Sequence, residues 1–160
     1  MSDATRRNRL EVSPKGDREI LATRVFDAPR DLVFETMMDP EMIPEYWSDT
    51  KVDVMDVRPG GSWRYLSVGP DGTEHGFRGT YREISPPERV VQTFEWEGMP
   101  GHVSVETMVL EDLGDGRTKV EVTTIFHTGE ERDGMLGSGM EGGMGELYDR
   151  LEDLLASRAS

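Results

Sequence analysis

The sequence predicts an α+β domain: one curved antiparallel sheet of seven strands, two short helices after the first strand, and a long C-terminal helix over the concave face. Three observations lead there. Segments of alternating polarity recur through residues 18–126. From residue 59 onward, Gly- and Pro-bearing turns separate them at hairpin distances. Leu136, Met140, Met144, Leu147, Leu151, Leu154 and Leu155 then recur at steps of three or four, the spacing of one helical face.

The elements follow in order. In REILATRVFDAP, Ile20, Ala22, Arg24 and Phe26 alternate against Leu21, Thr23 and Val25, and the strand stops at Pro29. Pro29 suits a first helical turn, where a missing N–H costs nothing, and Leu32, Val33, Thr36 and Met37 recur at helical spacing. Asp39 and Pro40 end that helix and open a second, carrying Met42, Ile43, Tyr46 and Trp47 inward. Strands are expected at VDVMDV, SWRYLSV, HGFRGTYREI, RVVQTFEW, HVSVETMVLEDL and TKVEVTTIF, joined by tight turns such as Pro59-Gly60-Gly61 and Gly114-Asp115-Gly116. One helix is expected from about Thr128 to Ser157, although six glycines between Gly134 and Gly145 oppose helicity in its first half. Residues 1–17 are expected to form a flexible tail, 18–157 one domain and 158–160 a short tail.

Composition removes whole classes of function. With 18 basic against 32 acidic residues the formal net charge is −14, a field that repels nucleic-acid backbones and anionic lipid. No cysteine is present, so disulfides, thiolate metal sites and cysteine nucleophiles are excluded, and a cytoplasmic setting is expected. No run of about 18 apolar residues exists for a membrane helix.

Four segments carry a family resemblance: RVFDAPRDLVFETMMDPEMIPEYW, DVRPGGSWRY, GTYREISPPERVVQTFEWEG and SGMEGGMGELYDRLEDLLA, in that order. Over residues 18–157 the chain resembles the START-like helix-grip superfamily (SRPBCC), in the branch homologous to the activator of the heat-shock chaperone ATPase. The resemblance implies a seven-stranded sheet gripping the C-terminal helix around a pocket for hydrophobic ligands. Many relatives place Trp after Gly in the final helix, whereas here Met144 follows Gly143.

Strand parity selects the residues that would line such a pocket. Trp63 and Tyr65 share one face of their strand with Ser67; His75, Phe77, Gly79 and Tyr81 share another; Gln92, Phe94 and Trp96 share a third. Assigned inward, Trp63, Tyr65, Phe77, Tyr81, Phe94 and Trp96, with Phe126, Met140 and Met144, form an aromatic and thioether lining suited to a small hydrophobic or aromatic molecule. Ordinary core packing would use the same residue types.

The remaining features carry less chemistry. Pairing Val103 with Phe126, Val105 with Thr124 and Val109 with Val120 sets His102 opposite His127 on the convex face, so no metal site is expected from the histidines, and no cofactor. On the same register Arg24, Arg64, Arg78 and Arg82 would find Glu95, Glu106 and Glu121 as convex-face ion-pair partners. GSGMEG matches a dinucleotide-binding spacing but follows no strand and is set aside. No hydrolase elbow, zinc-protease motif or phosphate loop occurs.

The leading functional expectation is a non-enzymatic pocket for a small hydrophobic molecule. One alternative is a polyketide cyclase/aromatase-like enzyme in which His75 and Tyr81 move protons. Another is a co-chaperone-type interaction domain, which rests on the family name alone. Monomer and homodimer both stay open, the exposed edge of VDVMDV or the convex face being the surfaces for a second copy.

Overall fold

The computed structural model describes residues 8–159; parts of both expected tails, residues 1–7 and 160, lie outside the described residues. Its sheet has eight strands, one more than expected. The additional strand, β1 (Glu11–Lys15), falls in the stretch expected to be tail and pairs antiparallel with β2 (Glu19–Phe26), Val12 opposite Ala22. Pro14 hid it, since proline lacks a ladder donor and is confined within sheets to positions such as an edge strand. An edge strand is what β1 is.

After β2 come α1 (Arg30–Met37) and α2 (Ile43–Tyr46). The second helix starts later than Pro40 because Asp39 closes a turn instead, its Oδ1 accepting from Glu41 N at 2.9 Å. Then follow β3 (Thr50–Met55), β4 (Ser62–Val68), β5 (Glu74–Ser85), β6 (Arg89–Trp96), β7 (Ser104–Asp112) and β8 (Thr118–Ile125). All pairings are antiparallel, in the order β1-β2-β8-β7-β6-β5-β4-β3.

The expected single C-terminal helix is two, α3 (Gly129–Leu136) and α4 (Met140–Ala159). The chain breaks at Gly137-Ser138-Gly139, where Gly139 takes φ +85°, a left-handed conformation that stops a helix. Helix α4 also runs through Arg158 and Ala159, which were expected to be tail. Helix α3 is capped by Thr128, whose hydroxyl accepts from Glu131 N at 3.1 Å. Its one buried residue, Arg132, donates from Nη1 to the carbonyls of Gly16 and Glu19 at 3.1 and 2.8 Å, tying α3 to the β1–β2 turn.

The β7–β8 register differs by one residue from the expected one. Val105 pairs with Ile125, Glu106 with Thr124 and Met108 with Val122. The turn decides this: Gly114 and Gly116 both take positive φ, and Asp112 and Thr118 form the last pair of the ladder. A one-residue slip turns every side chain to the other face. The even-numbered residues of β7, Glu106 included, therefore face the concave side, and His102 does not pair with His127. His102 instead contacts the Glu131 carboxylate through Nδ1, which holds that carboxyl below its usual range.

The far half of α4 seals the core. Leu151 and Leu155 are fully buried with Phe26, Val33, Leu110 and Val120. Arg24 is also buried, on the concave face, and donates to Asp149 at 2.8 Å and Glu152 at 3.3 Å on α4 rather than to a convex-face partner. Of the other expected arginines, Arg78 pairs on the convex face with the expected Glu95, and Arg64 pairs there with Glu97 and Asp53 instead.

The indole of Trp63 lies over Gly79, its cross-strand partner. A Cβ at position 79 would stand 2.6 Å from Trp63 Nε1 and 2.0 Å from the Thr93 carbonyl oxygen. Gly79→Ala is therefore expected to destabilise the fold by about 1–3 kcal/mol, read as a lower urea midpoint with an unchanged slope.

Candidate functional site

Between the concave face and the near half of α4 lies a cavity of about 370 Å³. Its floor is built in rows that cross the sheet. In one row Tyr81, Gln92, Glu106 and Thr124 stand opposite one another on β5, β6, β7 and β8. In the next, Val90, Met108 and Val122 do so on β6, β7 and β8. The walls come from Met37, Met38, Ile43, Tyr46 and Trp47 at the helical insertion, and from Met140, Gly143, Met144, Leu147 and Tyr148 on α4.

The aromatic wall is continuous. Trp47 meets Tyr65 edge-on with ring centres 5.5 Å apart, Tyr65 meets Trp63 at 4.8 Å, and Trp63 meets Phe94 at 5.8 Å. Trp63 Nε1 on this lining is buried without a hydrogen-bond partner among the described residues, while the Tyr65 and Tyr81 hydroxyls interact with each other. An orphaned donor such as this indole N–H is rare in packed interiors. Burial holds the phenols of Tyr46, Tyr65, Tyr81 and Tyr148 above their usual range, so all four are neutral hydroxyls near pH 7.

Glu106 is the one charged side chain in the lining. Gln92 Nε2 donates to its Oε1 at 3.2 Å, and no Lys, Arg or His pairs with it among the described residues. Desolvation pushes its carboxyl up to about 7, against which the Gln92 hydrogen bond acts only weakly. Parity reasoning missed Glu106 because its face depends on the β7–β8 turn; the signal available was an acidic residue flanked at i+2 and i+4 by Met108 and Leu110.

Of the residues expected to line a pocket, Trp63, Tyr65, Tyr81, Phe94, Met140 and Met144 border this cavity. Phe77 packs behind Phe94, ring centres 5.6 Å apart, without bordering it. Phe126 lies past the end of β8, and Trp96, 38% exposed, lies at the end of β6. Both have the inward parity but do not border the cavity. His75 stacks on Trp96 at 5.9 Å, outside the cavity. It stands six positions from Tyr81 along β5, roughly 20 Å in a strand. No group of acidic and histidine side chains suited to a metal ion occurs among the described residues.

The sheet order, the helical insertion after β2 and α4 across the concave face form a helix-grip arrangement. The model of the family described as activator of Hsp90 ATPase homolog 1-like protein matches residues 27–156. The chain belongs to that family.

Solved structures agree on the fold. A protein from Rhodobacter sphaeroides is similar at TM-score 0.83 with 23% identity, over 92% of this chain and 98% of that one. A protein from Arthrobacter aurescens is similar at TM-score 0.82 with 23% identity, over 92% and 91%. An HSP90 activator from Plasmodium falciparum is similar at TM-score 0.68 with 17% identity, over 87% and 96%. No curated protein matches the chain. No helix among the described residues is long and apolar enough to cross a membrane.

The raised carboxyl of Glu106 has a measurable sign. Between the ordinary value of 4.5 and about 7 the folded state keeps a proton that the unfolded state releases, so this group's contribution to stability is lost as pH rises through that window. Glu106→Gln removes the ionisable group and with it the loss. Urea midpoints should show the variant near wild type at pH 4.5 and more stable at pH 8, by on the order of 3 kcal/mol.

Proposed function

We propose that the chain binds a small, mainly apolar molecule in the cavity between the sheet and α4. The observation that carries this reading is a lined space of about 370 Å³ with an aromatic wall and a few convergent polar groups, which falls within the roughly 300–1,000 Å³ of small-molecule sites.

The alternatives have less support. A cyclase/aromatase-like reaction shared by His75 and Tyr81 needs both at one substrate, and His75 is outside the cavity. A chaperone-activating role has the Plasmodium falciparum HSP90 activator as its structural relative, at an identity that speaks for the fold alone.

Gly143 supplies the test. It borders the cavity and is exposed, and a Cβ built there meets nothing within 4 Å. Gly143→Leu should place an apolar side chain at the mouth while raising helix propensity by about 0.5–1 kcal/mol. The expected outcome is a higher Tm for the free variant together with at least about tenfold weaker binding of 4-phenylbutanol and other neutral aromatic probes, read from Trp47 and Trp63 fluorescence and from the ligand-induced rise in Tm. Unchanged affinity for every probe that binds wild type would place binding elsewhere.

A further inference from the structure

The cavity has an electrostatic polarity that its apolar walls do not require. Glu106 carries its one charge, at the centre of the floor, and neither Lys, Arg nor His borders the space among the described residues. Arg24, a buried cation elsewhere on the concave face, is engaged by Asp149 and Glu152. Glu106 Oε1 accepts from Gln92, whereas Oε2 accepts from no side chain among the described residues. A carboxylate half-satisfied by one amide in a low-dielectric pocket is costly, and it persists where a partner completes it.

The chemistry of that partner follows from what surrounds the carboxylate. A ligand carboxylate or phosphate would meet like charge with no cation to offset it. A ligand cation with N–H donors would meet a carboxylate, the neighbouring Gln92 amide oxygen, and the negative faces of Trp47, Trp63 and Tyr65, which attract cations further. The chain's formal charge of −14 favours the approach of the same sign of ligand.

We propose that the cavity selects an apolar amine, its protonated nitrogen paired with Glu106 and its hydrocarbon or aromatic body held against the Trp47–Tyr65–Trp63 wall. This rests on the cavity-binding reading above and names its ligand class. It accounts for a half-buried acid on an otherwise apolar floor without invoking a reaction: the carboxylate is the counterion, and the neutral tyrosine hydroxyls supply secondary acceptors.

The pairing also links binding to pH. Beside Glu106 in its row stand Gln92 on β6 and Thr124 on β8, with Tyr81 on β5 next to Gln92, and Tyr65 on β4, Tyr46 on α2 and Tyr148 on α4 border the same cavity. None of these six carries a charge near neutrality, the tyrosines being held above their usual range, so Glu106 alone changes charge there. An amine that stays protonated up to about pH 9 should bind more tightly as Glu106 ionises.

Three probes of one shape decide the matter: 4-phenylbutylamine, 4-phenylbutanol and 4-phenylbutanoate, titrated calorimetrically into wild type and Glu106→Gln between pH 5.5 and 8. Wild type should prefer the amine over the acid by more than about tenfold at pH 8, and the amine's affinity should rise by about tenfold across the range. Glu106→Gln should weaken the amine at least about tenfold more than the alcohol and abolish the pH dependence. Equal amine and alcohol affinities, preference for the acid, or an unchanged amine affinity in Glu106→Gln would overturn the proposal. Binding of neutral aromatics without binding of the amine would overturn it while leaving the cavity reading standing; silence of every probe, neutral ones included, would remove both.

Discussion

A buried arginine organises this molecule. Arg24 lies on the concave face of β2 among Ile20, Ala22 and Phe26, where an unpaired guanidinium would be strongly destabilising. Its partners, Asp149 and Glu152, stand one helical turn apart on α4, and Glu152 also accepts from Asn8 Nδ2 at 2.9 Å and the Asp27 backbone N–H at 3.0 Å. The far half of α4 is thereby held in one place over the sheet, with Leu151 and Leu155 packed beneath it. The near half is different: Met140 and Met144 stand at the wall of the space below, and Gly143 between them puts no side chain into it. One helix thus closes the core at one end and roofs a cavity at the other.

The break between α3 and α4 belongs to the same design. A continuous helix from residue 129 would have one axis for two tasks. With Gly139 in the left-handed conformation, α3 is free to cover the β1–β2 turn through Arg132 while α4 follows the axis that Arg24 requires. Arg150 adds a second tie, donating to the Tyr46 carbonyl at 2.9 Å, so that the short helices that wall the cavity are fastened to its roof.

The cavity floor shows how a fold can hold a polar group against its solvation preference. Glu106 is kept in place by the ladders of β6 and β8 on either side, which leave its backbone no freedom to turn the side chain out. The desolvation of its carboxyl is a cost to the empty protein, and Gln92 offsets only part of it. The low local dielectric that strengthens a satisfied hydrogen bond also raises the cost of an unsatisfied one.

The sequence by itself determined the α+β class, the helical insertion, the alternation that turns Trp63, Tyr65, Tyr81 and Phe94 inward, and the apolar stripe of the last helix. These are local periodicities, and a strand or helix expresses them wherever it packs. The tertiary structure decided what depends on register and reach. The glycine turn after Asp112 sets β7 one residue away from the simplest pairing and so turns Glu106 into the cavity. Parity gives a side chain's face but not its height along the strand, and that is why Phe77, Trp96 and Phe126 share the inward face yet lie outside the part of the sheet that α4 roofs. Pro14 disguised an edge strand that pairs with β2 through a tight hairpin, and Arg24 reads as a surface charge until the helix that neutralises it, more than a hundred residues later, folds across it.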